Sequence, residues 1–453
     1  MDRLYEERLG RDPVLPLILK MAMPAVAAQF INLLYNIVDR IYIGHIDLIG
    51  TDALAGVGVT SSIILLITAF SSIVGAGGAP LAAIALGRDD RRRAGAILGN
   101  GFVLLLIFTV FITSLTYFYM DEILIFSGAS SRTVSYASDY LSIYMIGTLF
   151  VLIATGLNTF ISCQGRPAVA MWSVVIGAAL NIVLDPLFIF VLDWGVRGAA
   201  AATVISQAVS AVWILHFLLS DEATLKLEKK ALVIDFKVTL SIVGLGMSPF
   251  VMASTESLVA LVLNSNLKEF GDIYVSALAV MMTAVQFVSV PMVGFAQGFV
   301  PVISYNYGRG KDDRVRQGCR ISVLFMFLFN FMIILLMVLF PKIVASIFSN
   351  DRALIQTVGK HMPLFLAGMT IFGLQRAFQN IFVALGQAKI SIFIALLRKV
   401  ILLVPLAILL PEFMGVKGIF AAEAISDATA AICCTLLFWY FFPRILKGHS
   451  SAS

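Results

Sequence analysis

Long apolar runs dominate the chain and predict helices that cross a membrane. Residues 101–119 and 321–340 are apolar at nearly every position, and residues 401–410 with their flanks form a third such run. A helix needs roughly 20 apolar residues to span the hydrocarbon of a bilayer. Membrane-spanning β-strands would alternate apolar and polar residues instead. We therefore predict an all-α polytopic membrane protein with about 12 transmembrane helices.

Glycine, proline and clusters of charge interrupt the apolar runs and delimit the predicted helices. These cover residues 14–43, 53–86, 94–119, 133–164, 167–191, 197–220, 236–266, 275–307, 316–340, 357–386, 389–410 and 417–442.

Composition supports the membrane interpretation. Of 453 residues, 60% are hydrophobic and 13% are charged, which is more apolar surface than one soluble core can bury. The net charge of +5 comes from basic residues concentrated in alternate short loops. That asymmetry predicts cytoplasmic termini and a plasma or inner membrane location rather than binding to nucleic acid. The four cysteines show no metal-ligand spacing, and no GxxxxGK[ST] nucleotide loop occurs, so we expect no cofactor.

A repeat becomes visible when the chain is shifted by about 220 residues. The matching positions are Pro80, Gly87 and Arg88 with Pro301, Gly308 and Arg309; Ile125-Phe126-Ser127 with Ile347-Phe348-Ser349; Gly165 with Gly386; Gly195-Val196-Arg197-Gly198 with Gly415-Val416-Lys417-Gly418; and Ile205-Ser206 with Ile425-Ser426. This order predicts two homologous six-helix bundles, residues 1–220 and 236–453, joined by a cytoplasmic linker at 221–235. Bundles of equal orientation are typical of transporters that rock one half against the other.

Carboxylates inside the predicted spans are candidates for function, because a charge at bilayer depth costs at least about 2.5 kcal/mol. Five qualify: Asp39, Asp185, Glu256, Glu423 and Asp427. Asp39 follows Gln29, Asn32 and Asn36 at helical spacing, which places all four on one face of the first span. Such a stripe must avoid lipid. The three amides are candidates for a substrate cavity, and the alternative is a polar seam that only joins helices.

Asn181 and Asp185 stand one turn apart on the fifth predicted helix. Pro186 follows directly, and a proline frees a carbonyl about one turn earlier. Freed carbonyls beside a carboxylate are a usual way to build a cation site within a membrane. The alternative is a proline kink with a hydrogen-bonded aspartate.

The second half of the chain offers weaker candidates. Glu256 lies in the seventh helix after Pro249, so a carbonyl freed by the proline and this carboxylate are candidates for a cation site in the second bundle. Glu423 and Asp427 share one helix face, and the simpler interpretation is an ion pair with Arg398 or Lys399. Arg376 either pairs with one of these carboxylates or contacts an anionic substrate, and pairing is the commoner outcome. Glu256 and Arg376 are therefore further candidates for the substrate cavity.

The chain resembles the multidrug and toxic compound extrusion (MATE) transporters, and more closely their DinF-like branch. The resemblance is carried by Asp39, by residues 181–186, and by Gly195-Val196-Arg197-Gly198-Ala199 with Thr203. It implies a proton or cation site formed by Asp39, Asn181, Asp185 and Thr203, with Tyr140 nearby. A bound Na⁺ would use the first four.

Some members of that family use a second cation site, in which a seventh-helix glutamate acts together with a tenth-helix aspartate. Glu256 matches the glutamate. The corresponding tenth-helix stretch, residues 373–377, contains no carboxylate. The resemblance therefore implies the site of the first bundle rather than a complete second one.

The hypothesis that follows is export of lipophilic or cationic drugs in exchange for H⁺ or Na⁺ by alternating access, with membrane lipids as the surroundings. A flippase for lipid-linked oligosaccharides of the same superfamily is the alternative, and it would favour a cavity richer in cations. An enzyme is disfavoured because no His–carboxylate or His–Cys set is visible.

Overall fold

The chain folds into helices connected by short turns. The computed structural model describes residues 3–46 and 49–450, and these contain no β-strand. The α-helices are α1 (Arg3–Arg11), α2 (Val14–Gly44), α3 (Gly50–Gly87), α4 (Arg91–Phe118), α5 (Met120–Phe126), α6 (Val134–Ile146), α7 (Thr148–Gly156), α8 (Asn158–Cys163), α9 (Pro167–Pro186), α10 (Gly195–Leu219), α11 (Phe236–Lys268), α12 (Asp272–Gly308), α13 (Asp312–Leu339), α14 (Pro341–Phe348), α15 (Arg352–Leu366), α16 (Phe372–Ala384), α17 (Ala388–Leu396), α18 (Val404–Met414) and α19 (Val416–Ser450).

Most predicted spans are present as single long helices. Within the described residues, ten helical segments are long and apolar enough to cross a bilayer, and a bent pair adds an eleventh if it counts as one span. The tenth predicted span, residues 357–386, corresponds to α15 and α16, which a 3₁₀ turn at Gly368–Thr370 separates, and it completes the twelve. Its second half packs against α13 and α19. The prediction of an all-α protein with about 12 spans is confirmed.

The fourth predicted helix, residues 133–164, is wrong as a single straight element. It is divided into α6, α7 and α8, with a bend of 63° between the first piece and the rest. Gly147 lies at the break, where an added methyl group would approach the Val204 side chain of α10 to about 2.5 Å. The missing side chain lets the two backbones come close, and close packing of this kind is why small residues occur at membrane helix contacts.

Helices α2–α10, called the first lobe, meet helices α11–α19, called the second lobe, along α2, α3, α11 and α12. Gly77 of α3 and Gly246 of α11 face each other across this junction, and a methyl group on Gly77 would overlap the carbonyl oxygen of Ile242. Nearby, a methyl group on Gly298 of α12 would overlap the backbone of Ala22 in α2. At these points of the junction, the backbones of the two facing helices are therefore in direct contact.

The segment between the lobes is held by side chains of the first lobe. Asn100 of α4 donates to the carbonyl oxygen of Val233 at 3.2 Å and accepts from the backbone N–H of Asp235 at 2.7 Å. Gln164 accepts from the N–H of Leu225 at 2.8 Å. Residues 220–235 contain only a 3₁₀ turn at Lys229–Leu232. The division into domains at 1–220, 221–235 and 236–453 stays a prediction.

Helix α1 precedes the first lobe in sequence but is tied to the second. Asn306 donates to the carbonyl oxygen of Leu9 at 2.8 Å, and Lys311 donates to that of Gly10 at 2.7 Å. Arg314 donates to the carbonyl oxygen of Asp12 at 2.7 Å. These bonds satisfy carbonyl groups at the end of α1 that have no partner within the helix.

Candidate functional site

Two aspartates from separate helices meet inside the first lobe. Asp39 lies on α2 and Asp185 near the end of α9, and both side chains are buried, with exposed fractions of 9% and 0%. Their carboxyl groups are close enough to interact directly. Two carboxylates in one low-dielectric site repel each other when both are charged, so the pair favours uptake of a proton or a cation.

Asn181 links the carboxylates to α10. Its amide nitrogen lies 3.1 Å from Asp185 Oδ1 and 3.4 Å from the hydroxyl oxygen of Thr203. The one-turn spacing of Asn181 and Asp185 therefore gives the contact expected from the sequence. The structure brings together Asp39, Asn181, Asp185 and Thr203, which come from three different helices.

Several oxygen atoms of this group have no hydrogen-bond donor. Asp39 Oδ1, Asn181 Oδ1 and Asp185 Oδ2 are buried and find no partner among the described residues. Buried acceptors without a donor are costly and call for an explanation. A shared proton would satisfy one or two of them, and a cation bound through oxygen would satisfy those that face it. Carboxylate and amide oxygens are ligands that hard cations prefer.

Tyrosine side chains enclose the carboxylates. Tyr140 of α6 is buried and lies close to Asp39 and Thr203, in agreement with its expected position. Two tyrosines of the site were not predicted: Tyr35, which lies near both aspartates, and Tyr144, whose ring stacks with that of Tyr140 at 6.2 Å. The signal was available, since Tyr35 precedes Asp39 by one helical turn and Tyr140 precedes Tyr144 likewise.

The backbone changes its form beside the site. Helix α9 ends at Pro186, and the chain continues as a π-helical turn at Leu187–Val191. Proline cannot donate the backbone hydrogen bond that the α-helix requires, and π-helical turns often occur at functional sites. Asp185 thus occupies the last α-helical turn before the change.

A cavity of about 190 Å³ opens next to the site within the first lobe. Its wall includes Asn32, Tyr35, Asn36, Thr155, Asn181, Thr203 and Gln207. Two of the three amides predicted for the substrate cavity therefore line it. The volume is below the roughly 300 Å³ of small drug-binding pockets. The cavity can hold water and an ion but not a drug-sized molecule.

Gln29 does not belong to this cavity wall. It lies at the junction of the lobes, where its amide nitrogen is 3.4 Å from Gln297 Oε1 of α12. The predicted stripe of four residues covers an arc of about 80° around α2. That arc is wide enough to face α9 at one edge and α12 at the other, because α2 packs between both helices.

Glu256 and Arg376, the candidates from the second half of the chain, are not paired. The side chain of Glu256 is exposed. Arg376 donates to the Ser289 hydroxyl at 3.0 Å and lies over the Phe372 ring at 5.4 Å. In the part of the chain that the structure describes, Arg376 forms no ion pair, so the expected pairing with a carboxylate is not found.

Glu423 and Asp427 are neutralised by an arginine, which confirms the simpler interpretation of these two carboxylates. Arg398 Nε lies 2.6 Å from Asp427 Oδ1, and its Nη2 lies 3.3 Å from Glu423 Oε1. All three side chains are less than 10% exposed. The guanidinium group also lies 4.1 Å from the centre of the Phe372 ring. Glu423 Oε2 and Asp427 Oδ2 also find no donor among the described residues, but here a buried cation already pairs with both carboxylates, which the Asp39–Asp185 pair lacks among the described residues.

The two lobes differ at equivalent positions. In the repeat of about 220 residues, Thr203 corresponds to Glu423 and Gln207 to Asp427. Both residues of the first lobe line its cavity, whereas both residues of the second lobe bind Arg398. Positions paired by the predicted repeat thus line a cavity in one half of the chain and form an ion pair in the other.

Comparisons with known proteins agree over nearly the whole chain. The sequence model of the MatE family matches residues 24–187 and 249–409. "Multidrug export protein MepA" of Staphylococcus haemolyticus (strain JCSC1435) is 22% identical over 430 residues, covering 95% of this chain and 94% of that protein. The protein of the same name from Staphylococcus saprophyticus is 24% identical over 433 residues, covering 94% and 93%.

Solved structures show the same fold. A protein described as "MATE in the bent conformation" superimposes with a TM-score of 0.91 at 22% identity, covering 98% of this chain and 99% of that one. An outward-facing "multidrug resistance MATE family transporter of the MOP superfamily" gives a TM-score of 0.88 at 22% identity, covering 97% of each chain.

Proposed function

We propose that this chain, which belongs to the MatE family, is a multidrug exporter that exchanges lipophilic or cationic drugs for H⁺ or Na⁺. The family resemblance seen in the sequence is confirmed, and its relatives at 21–24% identity are named multidrug export proteins. The narrower resemblance to the DinF-like branch stays a prediction.

The observation that supports ion coupling is the set of undonated oxygens around Asp39 and Asp185. In the low dielectric of the lobe, a proton or Na⁺ bound there would remove the repulsion between the two carboxylates. Asp39, Asn181, Asp185 and Thr203 would supply the oxygen ligands, and Tyr140 would bound the site. Binding would change the packing that the helices α2, α9 and α10 prefer.

Helix α2 is the physical connection between this site and the movement of the lobes. Asp39 sits in its second half, whereas Ala22 and Gln29 in its first half contact α12 of the other lobe. An ion that alters how α2 packs on α9 therefore also biases the junction between the lobes. Exchange follows if ion and drug each favour a different arrangement.

The drug is expected between the lobes rather than inside the first one. The cavity of about 190 Å³ is too small for it. Asn36 and Glu256 both carry exposed side chains, and Glu256 is a carboxylate that a cationic drug could meet. Asn32 and Asn36 connect such a site to the cavity, since both line its wall.

The flippase alternative is supported less well. An anionic lipid-linked glycan would require free cations along its path. Arg398 is already held by two carboxylates, so two of the three candidate cations in that lobe, Arg376 and Lys399, remain for such a lipid. The proposed location is the plasma membrane with both termini in the cytoplasm, as the distribution of basic loops predicts.

Ethidium efflux from proteoliposomes tests the proposal. Native protein would be compared with Asp39→Asn and Asp185→Asn under separately imposed H⁺ and Na⁺ gradients. Asp221→Asn is the matched control, because that carboxylate is fully exposed and pairs with Lys226 outside the membrane-spanning helices. We expect one gradient to drive efflux, both site variants to abolish it and the control to retain it. Efflux that persists in both site variants would show that the assigned site is wrong.

A further inference from the structure

A second pocket lies between the lobes, at the helix ends that the charge distribution places on the cytoplasmic side. Its volume is about 660 Å³. The end of α3 and the start of α4 form one wall, and the start of α11, the end of α12 and the turn between α16 and α17 form the other. A ligand in this pocket would contact both lobes at once.

The pocket carries more positive than negative charge. Its ionised side chains are Arg88, Arg92, Arg93 and Lys237 against Asp90 and Asp235. Both aspartates cap helices: Asp90 accepts from the N–H of Arg93 at 2.9 Å, and Asp235 accepts from that of Lys237 at 2.9 Å. Arg92 and Arg93 are exposed, and neither forms an ion pair with another described residue. Two guanidinium groups are therefore available to an anion.

The same pocket has an apolar wall, and exposed apolar side chains lie beside its entrance in sequence. Leu81, Ile84 and Ile97 belong to its wall. At the start of α11, two apolar residues next in sequence to lining residues are exposed: Phe236 by 77% and Leu240 by 59%. Large apolar side chains exposed at the end of a spanning helix are suited to contact with lipid. A small inorganic anion would leave this wall without a partner.

We propose that this pocket binds the headgroup phosphate of an anionic phospholipid, with the acyl chains against the apolar wall. Arginine pairs with phosphate oxygens by two parallel hydrogen bonds, and basic pockets between membrane helices on the cytoplasmic side bind anionic headgroups. The inference goes beyond drug export and depends on neither the drug nor the coupling ion.

A bound lipid would favour the arrangement of the lobes seen here. Next to the pocket, a methyl group on Gly87 would overlap the carbonyl oxygen of Tyr305, and one on Gly308 would overlap that of Ile84. The pocket has both walls only while these backbones are in contact. A ligand that binds this arrangement alone stabilises it by mass action.

Lipid binding to the purified full-length protein in detergent tests the proposal. Native protein would be titrated with phosphatidylglycerol, phosphatidylcholine and inorganic phosphate, and retained lipid counted by native mass spectrometry. The variant is Arg92→Gln with Arg93→Gln. The matched control is Arg352→Gln with Lys417→Gln, two exposed cations at the opposite helix ends.

We expect the native protein and the control to bind phosphatidylglycerol equally. Binding by the variant should be about 25-fold weaker, because each basic residue near an anionic headgroup contributes about fivefold. Equal binding of phosphatidylcholine would overturn the role of headgroup charge. Full displacement by millimolar phosphate would identify a free-anion site instead, and unchanged binding in the variant would show that the lipid lies elsewhere.

Discussion

Replacement of Arg398 by methionine should strongly destabilise the second lobe. The guanidinium group lies 2.6 Å from Asp427 and 3.3 Å from Glu423, and the three side chains are almost completely buried. Methionine keeps much of the volume but leaves two carboxylates without their cation. Removal of one partner from a buried ion pair costs about 3–5 kcal/mol. Solvent screening reduces this value little, because the site excludes water.

The assay is thermal unfolding of the purified protein with Cys433 replaced by serine, followed by a thiol-reactive dye that reports exposure of the buried Cys163, Cys319 and Cys434. The control is Arg132→Met. Arg132 also binds a carboxylate at 2.9 Å, that of Asp52, but its side chain is 77% exposed. Exposed pairs of this kind contribute little to stability, so the control should unfold near the native temperature.

A second variant separates charge from packing. Arg398→Met combined with Glu423→Leu and Asp427→Val removes the ion pair as a whole, and it should recover much of the lost stability, because replacement of a complete buried pair by apolar residues is often neutral. The reasoning is refuted if Arg398→Met unfolds at the native temperature. It is also refuted if the triple variant is less stable than the single one.

Three further outcomes follow from the structure. Gly77→Leu should disrupt the junction of the lobes, since even a methyl group there would overlap the carbonyl oxygen of Ile242; a lower unfolding temperature than that of Gly58→Leu, at an exposed position of the same helix with no atom within 4 Å of an added methyl group, would show this. Asn306→Leu removes the donor to the Leu9 carbonyl, and trypsin should then cleave after Arg11 faster than in native protein, because local opening becomes easier. Asn181→Ala removes the amide that binds Asp185, and the affinity for the coupling ion should fall about tenfold. Unchanged values in these assays would contradict the respective contacts.

Hydropathy was sufficient to find the spans but not their breaks. Long apolar runs such as those of α4 and α13 predict helices because nothing in them satisfies the backbone except the helix itself. The bend at Gly147 and the interruption at Gly368–Thr370 depend on contacts with other helices. A methyl group on Gly368 would overlap the carbonyl oxygen of Ala424, and no local pattern in the sequence contains that neighbour.

The candidate site was predictable in part. Helical spacing alone places Asn181 next to Asp185, and the hydrogen bond between them agrees. The approach of Asp39 from α2 is a long-range contact, and only the family resemblance indicated it. Helical spacing also grouped Gln29 with Asn32 and Asn36, because a pattern along one helix cannot show that two different neighbours share its polar arc.

Competition between the drug and the ion tests the central claim most directly. The affinity of the purified protein for tetraphenylphosphonium would be measured over a range of pH and of Na⁺ concentration, for native protein and for the double variant Asp39→Asn with Asp185→Asn. Our account predicts that one of the two ions weakens drug binding to the native protein, and that the double variant binds the drug without dependence on that ion. The same dependence in both proteins would contradict an ion site at these two aspartates.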